Sequence, residues 1–307
     1  MSVHARLLSS SSLAITLAPM LVLAAPLAAI AEDITFDPKW ESGKRYVFTQ
    51  GMGGKSTMKM GELEMDSDMD AEFVMVLSVA DGEEGAQKLT WKYDSIKMDV
   101  DMMGQKMSFD STTPGAANPF LAPIFGVLTE TTLTGTLGQD GMLTDVEISG
   151  DGAENPMLAG FGLGKDSLAQ TVENISGNHF PDKAVAVGDT WEQITKFPVP
   201  QAEPVDITTV YKYVGKETYN GTEMPKVTYT ASIEEEAKIE AQSVSMNIAK
   251  MDLKGHLFYD PSRNVVVVTE GIADIVMEMN NGETVAELPA TQKVSMTLKE
   301  ITDADAE

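Results

Sequence analysis

The stretch Lys88-Leu89-Thr90-Trp91-Lys92-Tyr93-Asp94-Ser95-Ile96-Lys97-Met98-Asp99-Val100-Asp101-Met102 decides the fold class. Leu89, Trp91 and Tyr93 alternate with Lys88, Thr90, Lys92 and Asp94. Ile96, Met98, Val100 and Met102 then alternate with Ser95, Lys97, Asp99 and Asp101. A period of two sends successive side chains to opposite faces of a strand. One face here is apolar and the other charged, which is the pattern of antiparallel sheet with a core on one side and water on the other.

The same alternation recurs outward from this stretch. Ile207, Thr209, Tyr211 and Tyr213 show it, as do Val227, Tyr229, Ala231 and Ile233, and finally Val294, Met296 and Leu298. Between the runs lie Asp81-Gly82-Glu83-Glu84-Gly85, Gln139-Asp140-Gly141, Asn220-Gly221, Asp260-Pro261-Ser262 and Asn280-Asn281-Gly282. Gly and Asn accept positive φ at low cost, so these are hairpin turns and the strands form a meander. The segment from Ser111 to about Val187 differs, being rich in Gly, Ala, Pro and Asn. Within it, Leu133–Leu137 and Met142–Ile148 read as a hairpin. Leu168, Val172 and Ile175 fall at helical spacing, and a further short helix fits Asn155 to Phe161. A Gly-led aromatic strand opens each half, at Gly43–Phe48 and Gly188–Trp191, which suggests a weak internal repeat.

The N-terminus sets the compartment. His4 and Arg6 precede an apolar run from Leu13 to Ile30 that ends in Ala29-Ile30-Ala31. This is the layout of a secretory signal peptide cleaved after Ala31. Removing residues 1–31 takes away Arg6 and no acid, so the formal charge moves from −25 to −26 (−25 − 1). That much negative charge repels nucleic acid and anionic headgroups. With no cysteine, the chain has no disulfide, thiolate metal site, Cys nucleophile or acylated Cys. The hydrophobic core alone must hold it.

The junction Phe180-Pro181-Asp182-Lys183-Ala184-Val185-Ala186-Val187-Gly188-Asp189-Thr190-Trp191-Glu192 has the form Pro-x-x-x-Val-x-Val-Gly-Asp-x-Trp. Together with Gly255-x-x-x-Tyr259-Asp260, it resembles a family of exported bacterial β-domains of unknown function. That resemblance implies an exported β-domain, of the open half-barrel type of outer-membrane lipoprotein carrier-like proteins. It implies no active site.

Catalytic chemistry finds few residues. The histidines beyond residue 31 are His179 and His256, in unrelated contexts, so a Ser-His-Asp set has few members to draw on. No Gly-x-Ser-x-Gly, His-Glu-x-x-His or nucleotide fingerprint occurs. Asp66-Ser67-Asp68-Met69-Asp70 begins like a calcium loop. The sixth and twelfth positions are Ala71 and Leu77 rather than Gly and Glu, so a solvated acidic strand face is the better reading. Asn174-Ile175-Ser176 and Asn220-Gly221-Thr222 match a glycosylation acceptor that is short and frequent.

Methionine is in excess, with Met52, Met58, Met60, Met65, Met69, Met75, Met98, Met102, Met103 and Met107 in the first half. Thioethers suit Cu(I). They also make a plastic lining for a core or an apolar ligand. A cavity on the concave sheet face would draw on Trp91, Tyr93, Met98, Met102, Tyr211, Tyr213 and Tyr229. The alternative has the same side chains packing against the connector helix and the other sheet.

The expected fold is therefore mainly β, with antiparallel curved sheets or half-barrels in two similar units and a short helical connector. The expected divisions are a signal peptide at 1–31, a first β unit at 32–150, a connector at 151–187 and a second β unit at 188–307. The expected function is that of a non-catalytic envelope protein, periplasmic or secreted, binding an apolar ligand such as a lipid or acyl chain. A structural scaffold with a filled core, and weak copper or cation binding through the Met- and Asp-rich strands, are the alternatives. No cofactor, catalytic residue, metal ligand, nucleic-acid partner or membrane anchor after cleavage is expected; the partner is an apolar small molecule or another envelope component.

Overall fold

The computed structural model describes residues 33–60, 63–102, 104–113, 118–119, 121–139, 141–150, 180–197, 205–233, 237–241, 244–280 and 285–304. The strands are β1 (Lys44–Met60), β2 (Leu63–Asp81), β3 (Gln87–Met102), β4 (Gln105–Asp110), β5 (Thr132–Leu137), β6 (Leu143–Ser149) and β7 (Thr190–Phe197). They continue with β8 (Val205–Tyr219), β9 (Thr222–Ile233), β10 (Ala237–Ala241), β11 (Val244–Asp260), β12 (Val265–Asn280) and β13 (Val285–Asp303). Among the described residues, the α-helix α1 (Ala122–Thr129) lies between β4 and β5, and a 3-10 turn at Glu83–Gly85 lies between β2 and β3.

All the strands belong to one open, curved antiparallel sheet in the order β6-β5-β3-β2-β1-β13-β12-β11-β9-β8-β7, with β4 on β3 and β10 on β11. Strands from residues 44–149 make one flank and those from 190–280 the other. The first and last strands join them, with Lys44 opposite Asp303 and Lys59 opposite Glu287. The helices expected at 155–161 and 165–175 lie outside the described residues, as does the Asn281-Gly282 turn.

The two alternating runs that opened the sequence form the single strand β3. Their apolar positions fall out of phase between Tyr93 and Ile96, and the register explains why. Tyr93 pairs with Met75 and Ser95 with Val74, so Asp94 bulges out and both runs keep one face. Further bulges at Val47/Phe48, Tyr213/Gly215, Ile248/Lys250 and Phe258/Tyr259 add the local bend and twist that curve a sheet. At the β8–β9 turn, Asn220 and Gly221 take φ of 48° and 81°, the paired positive values of a type I′ hairpin.

The strands give the sheet an apolar inner face; the outer face is charged over β2 and carries a separate apolar cluster of Met224, Phe258 and Val268 beside Tyr219. On β2, Asp66, Asp68, Asp70 and Glu72 are exposed on the outer side while Ala71, Phe73 and Met75 are buried on the inner. A membrane barrel carries its apolar band outward, the reverse of this arrangement. Among the described residues, no helix is long and apolar enough to cross a membrane.

Two bodies of side chains cover parts of the inner face. On the first flank, Leu121, just before α1, and Phe125 and Leu128 from α1 pack on Phe48, Leu77, Leu89, Trp91, Ile96 and Leu133. On the second, Phe36, Phe180 and Val185 pack on Tyr213, Val227, Leu257 and Tyr259. Burying each such side chain contributes about 1.5–3 kcal/mol. The segment 34–42 runs between the two bodies as a strap. It is held by the Ile34–Val185 bridge, by the Asp37 N–H donating to the Tyr259 hydroxyl (3.2 Å), and by the Glu41 N–H donating to the Tyr46 hydroxyl (2.8 Å). Trp40 stands edge-on to Tyr46, with ring centroids 4.9 Å apart.

Candidate functional site

Cross-strand register lines up one continuous row over the inner face. Phe109, Met98, Ala71, Met52, Val294, Gly271, Gly255, Tyr229, Tyr211 and Trp191 are successive partners from β4 to β7. The row is large at both ends and notched in the middle by the facing pair Gly255 and Gly271. Tyr229 lies across that notch. A Cβ on Gly255 would meet the Glu270 carbonyl oxygen and the Tyr229 ring, so the ring occupies space that only glycine leaves. The Tyr229 hydroxyl donates to the Glu270 carbonyl at 3.2 Å.

From Tyr229 the aromatics continue outward. Tyr211 lies 6.0 Å from Tyr229 and stacks on Trp191 at 5.5 Å, with an 11° angle between planes. Burial pushes the hydroxyls of Tyr211 and Tyr229 up to about 12, and the neighbouring Tyr211 and Glu270 add to the effect at Tyr229. These phenols stay neutral at physiological pH and give the site an uncharged amphipathic wall.

Between the two covering bodies the inner face sinks into a trough of about 310 Å³. Its lining includes Gln50, Phe180, Tyr211, Tyr229, Leu253, Leu257, Val266, Thr269, Val294 and Met296. Towards the strap, Phe180, Val266 and Met296 also border a larger cleft of about 850 Å³. That cleft opens at the end of the sheet carrying the β2–β3, β5–β6 and β11–β12 turns, and its rim is polar: Asp37, Lys39, Ser42, Asp81, Gln87, Gln139, Asp182 and Asn264. The trough, with an apolar floor, and the cleft, with a polar rim, are thus neighbours that share Phe180, Val266 and Met296.

Of the residues expected to line a cavity, the structure brings Tyr211 and Tyr229 together on the trough wall. Tyr213, 1% exposed, lies behind them in the aromatic cluster with Phe36, 5.7 Å away. Trp91 and Met98 are buried in the first-flank core, where Trp91 packs 6.1 Å from Phe48. Tyr93 packs on Phe73 at 6.0 Å, and burial pushes its hydroxyl up to about 12. Met102 is 48% exposed near the far end of β3, away from the trough. Among the described strands, Ala71 separates Met52 from Met98 and Val100 separates Met69 from Met107, while Met58 is the register partner of Met65 and Met246 that of Met279. His256 stands on the outer face, 3.6 Å from Glu270, and His179 lies outside the described residues.

The trough residues that single-strand reading did not single out as ligand contacts include Phe180, Leu253, Leu257, Val266, Val294 and Met296. Val294 and Met296 carried a visible strand alternation. Nothing local revealed that their strand sits at the centre of the sheet.

Residues 84–155, from β3 through β6, match the model of a family of unknown function (DUF6263). The expectation of a β-domain family without an assigned function holds, on a different part of the chain from the 180–192 junction that suggested it. No curated protein is significantly similar in sequence. Among solved structures, lipovitellin, described for its lipid–protein interactions, is 11% identical, with a TM-score of 0.47. The match covers 88% of this chain, which spans only 26% of the lipovitellin chain. A putative exported protein with a YmcC-like fold from Bacteroides fragilis is 10% identical over 88% of this chain and 100% of its own, with a TM-score of 0.23. A putative outer membrane lipoprotein-sorting protein domain from Vibrio parahaemolyticus is 8% identical over 85% and 86%, with a TM-score of 0.13. These likenesses lie too low to transfer a function.

Proposed function

We propose that this protein is exported, with residues 1–31 as its signal peptide, and that it binds an apolar ligand such as a lipid or acyl chain in the inner-face trough without catalysing a reaction on it. The observation that carries this reading is the gap between the two covering bodies. There, Leu257, Val266, Val294, Met296, Tyr211 and Tyr229 surround an apolar trough that adjoins the cleft and its polar mouth. Trough and cleft, at about 310 and 850 Å³, lie in the size range of ligand sites. Thioether and aromatic walls suit a ligand of variable shape. A mouth rich in hydrogen-bonding groups suits one polar end.

The test is uptake of the uncharged fluorescent probe N-phenyl-1-naphthylamine by the purified protein. Saturable binding is expected, and Met296→Glu should weaken it at least tenfold while leaving the thermal unfolding transition cooperative. A protein that takes up no probe fits a scaffold with a filled interior and contradicts the reading.

A further inference from the structure

The mouth of the site is charged asymmetrically, and the asymmetry selects a class of ligand. Its ionisable side chains are Asp37, Asp81, Asp182 and Lys39. Lys39 is neutralised within the mouth, its ammonium 2.6 Å from the Asp37 carboxylate. Asp81 and Asp182 are exposed and have no basic partner among the described residues. The uncharged groups lean the same way. The Gln87 amide donates to the Trp40 carbonyl at 2.5 Å and to the Ser42 hydroxyl at 3.4 Å. The Gln139 amide donates to the Glu84 carbonyl at 3.2 Å. Asn264 is engaged through its amide oxygen, which accepts from the Tyr259 hydroxyl at 3.1 Å. Two of the three rim amides thus donate to the framework, and the exposed carboxylates of Asp81 and Asp182 line the opening. Around it the whole chain carries a formal charge of −25. Complementary potential favours a cation that donates hydrogen bonds, and opposes an anion at the same depth.

We infer that the ligand is a single-chain amphiphile with a cationic, amine-bearing head, seated with its chain along Met296, Val266, Leu257 and Tyr229 and its head between Asp81 and Asp182. This rests on the apolar trough proposed above and adds the chemistry of the polar end. An alkylammonium head brings positive charge and N–H donors to a rim that both carboxylates line. A fatty carboxylate would bring like charge to the same place.

The experiment displaces N-phenyl-1-naphthylamine from the purified protein at neutral pH with three ligands of one chain length: dodecylamine, 1-dodecanol and dodecanoate, all below their aggregation concentrations. Dodecylamine should displace the probe at concentrations about tenfold or more below dodecanoate, with dodecanol between them, and added salt should narrow the gap. The double variant Asp81→Lys/Asp182→Lys alters two exposed side chains without a basic partner. It should remove or reverse the preference for dodecylamine over dodecanoate. Equal displacement by all three, or a preference for dodecanoate, overturns the cationic head and leaves the trough reading standing. Failure of the probe to bind at all overturns both.

Discussion

Gly255 and Gly271 face each other across β11 and β12, and the space they leave is filled by the Tyr229 ring. Gly255→Ala is expected to cost about 1–3 kcal/mol, because an added methyl forces the ring or the Glu270 carbonyl to move. Urea unfolding checks this. Combining Gly255→Ala with Tyr229→Leu should cost less than the sum of the two single changes, since the smaller side chain makes room for the methyl. Strict additivity would show that the two positions do not touch. The tyrosines give a second prediction at this scale. Burial raises Tyr93, Tyr211 and Tyr229 from 10.0 in the unfolded chain to about 12 in the fold. Between those values the unfolded chain releases protons that the folded chain retains, so stability must fall as pH rises from 10 to 12. Below pH 10 these groups add no pH dependence. Phenolate absorbance should show a late-titrating set near 12 in the folded protein, and all tyrosines near 10 in denaturant.

The elements differ in how far the sequence exposes them. β3 and β8 were legible because strict alternation needs no knowledge of partners, and the β8–β9 turn because Asn220-Gly221 suits the positive φ that it adopts. Tyr211 and Tyr229 were legible as residues of one sheet face for the same reason. Other features depend on distant partners. The bulge at Asp94 makes sense only against the Val74–Met75 register, and β1 finds its partner β13 at the far end of the chain. Trp91 and Met98 looked like cavity lining until α1 and the residue before it supplied Leu121, Phe125 and Leu128 as part of their cluster. That helix is short, lies in a Gly- and Pro-rich region and has no polar cap side chain to announce it. The strap was equally hidden, since its value lies in where Phe36 and Trp40 land. Phe36 is 2% exposed and meets Phe180, Trp191, Tyr213 and Tyr259. Phe36→Ala is expected to cost about 3–5 kcal/mol in denaturant unfolding. A loss below 1 kcal/mol would show that the strap does not hold the second flank.

At the scale of the molecule, one open sheet carries its apolar side inward and covers that side at two places. The uncovered stretch between them is the proposed site, and the polar-rimmed cleft beside it lies where the strap crosses from one flank to the other. The design separates tasks: α1 and the strap stabilise the flanks, while Val294, Met296 and Tyr229 keep an apolar floor available at the centre. The most direct measurement is native mass spectrometry of the protein released gently from its own envelope. The account predicts the chain from Glu32 to Glu307 carrying a co-purifying apolar or amphipathic mass, which Met296→Glu removes. A bare chain that also takes up no added amphiphile would contradict it.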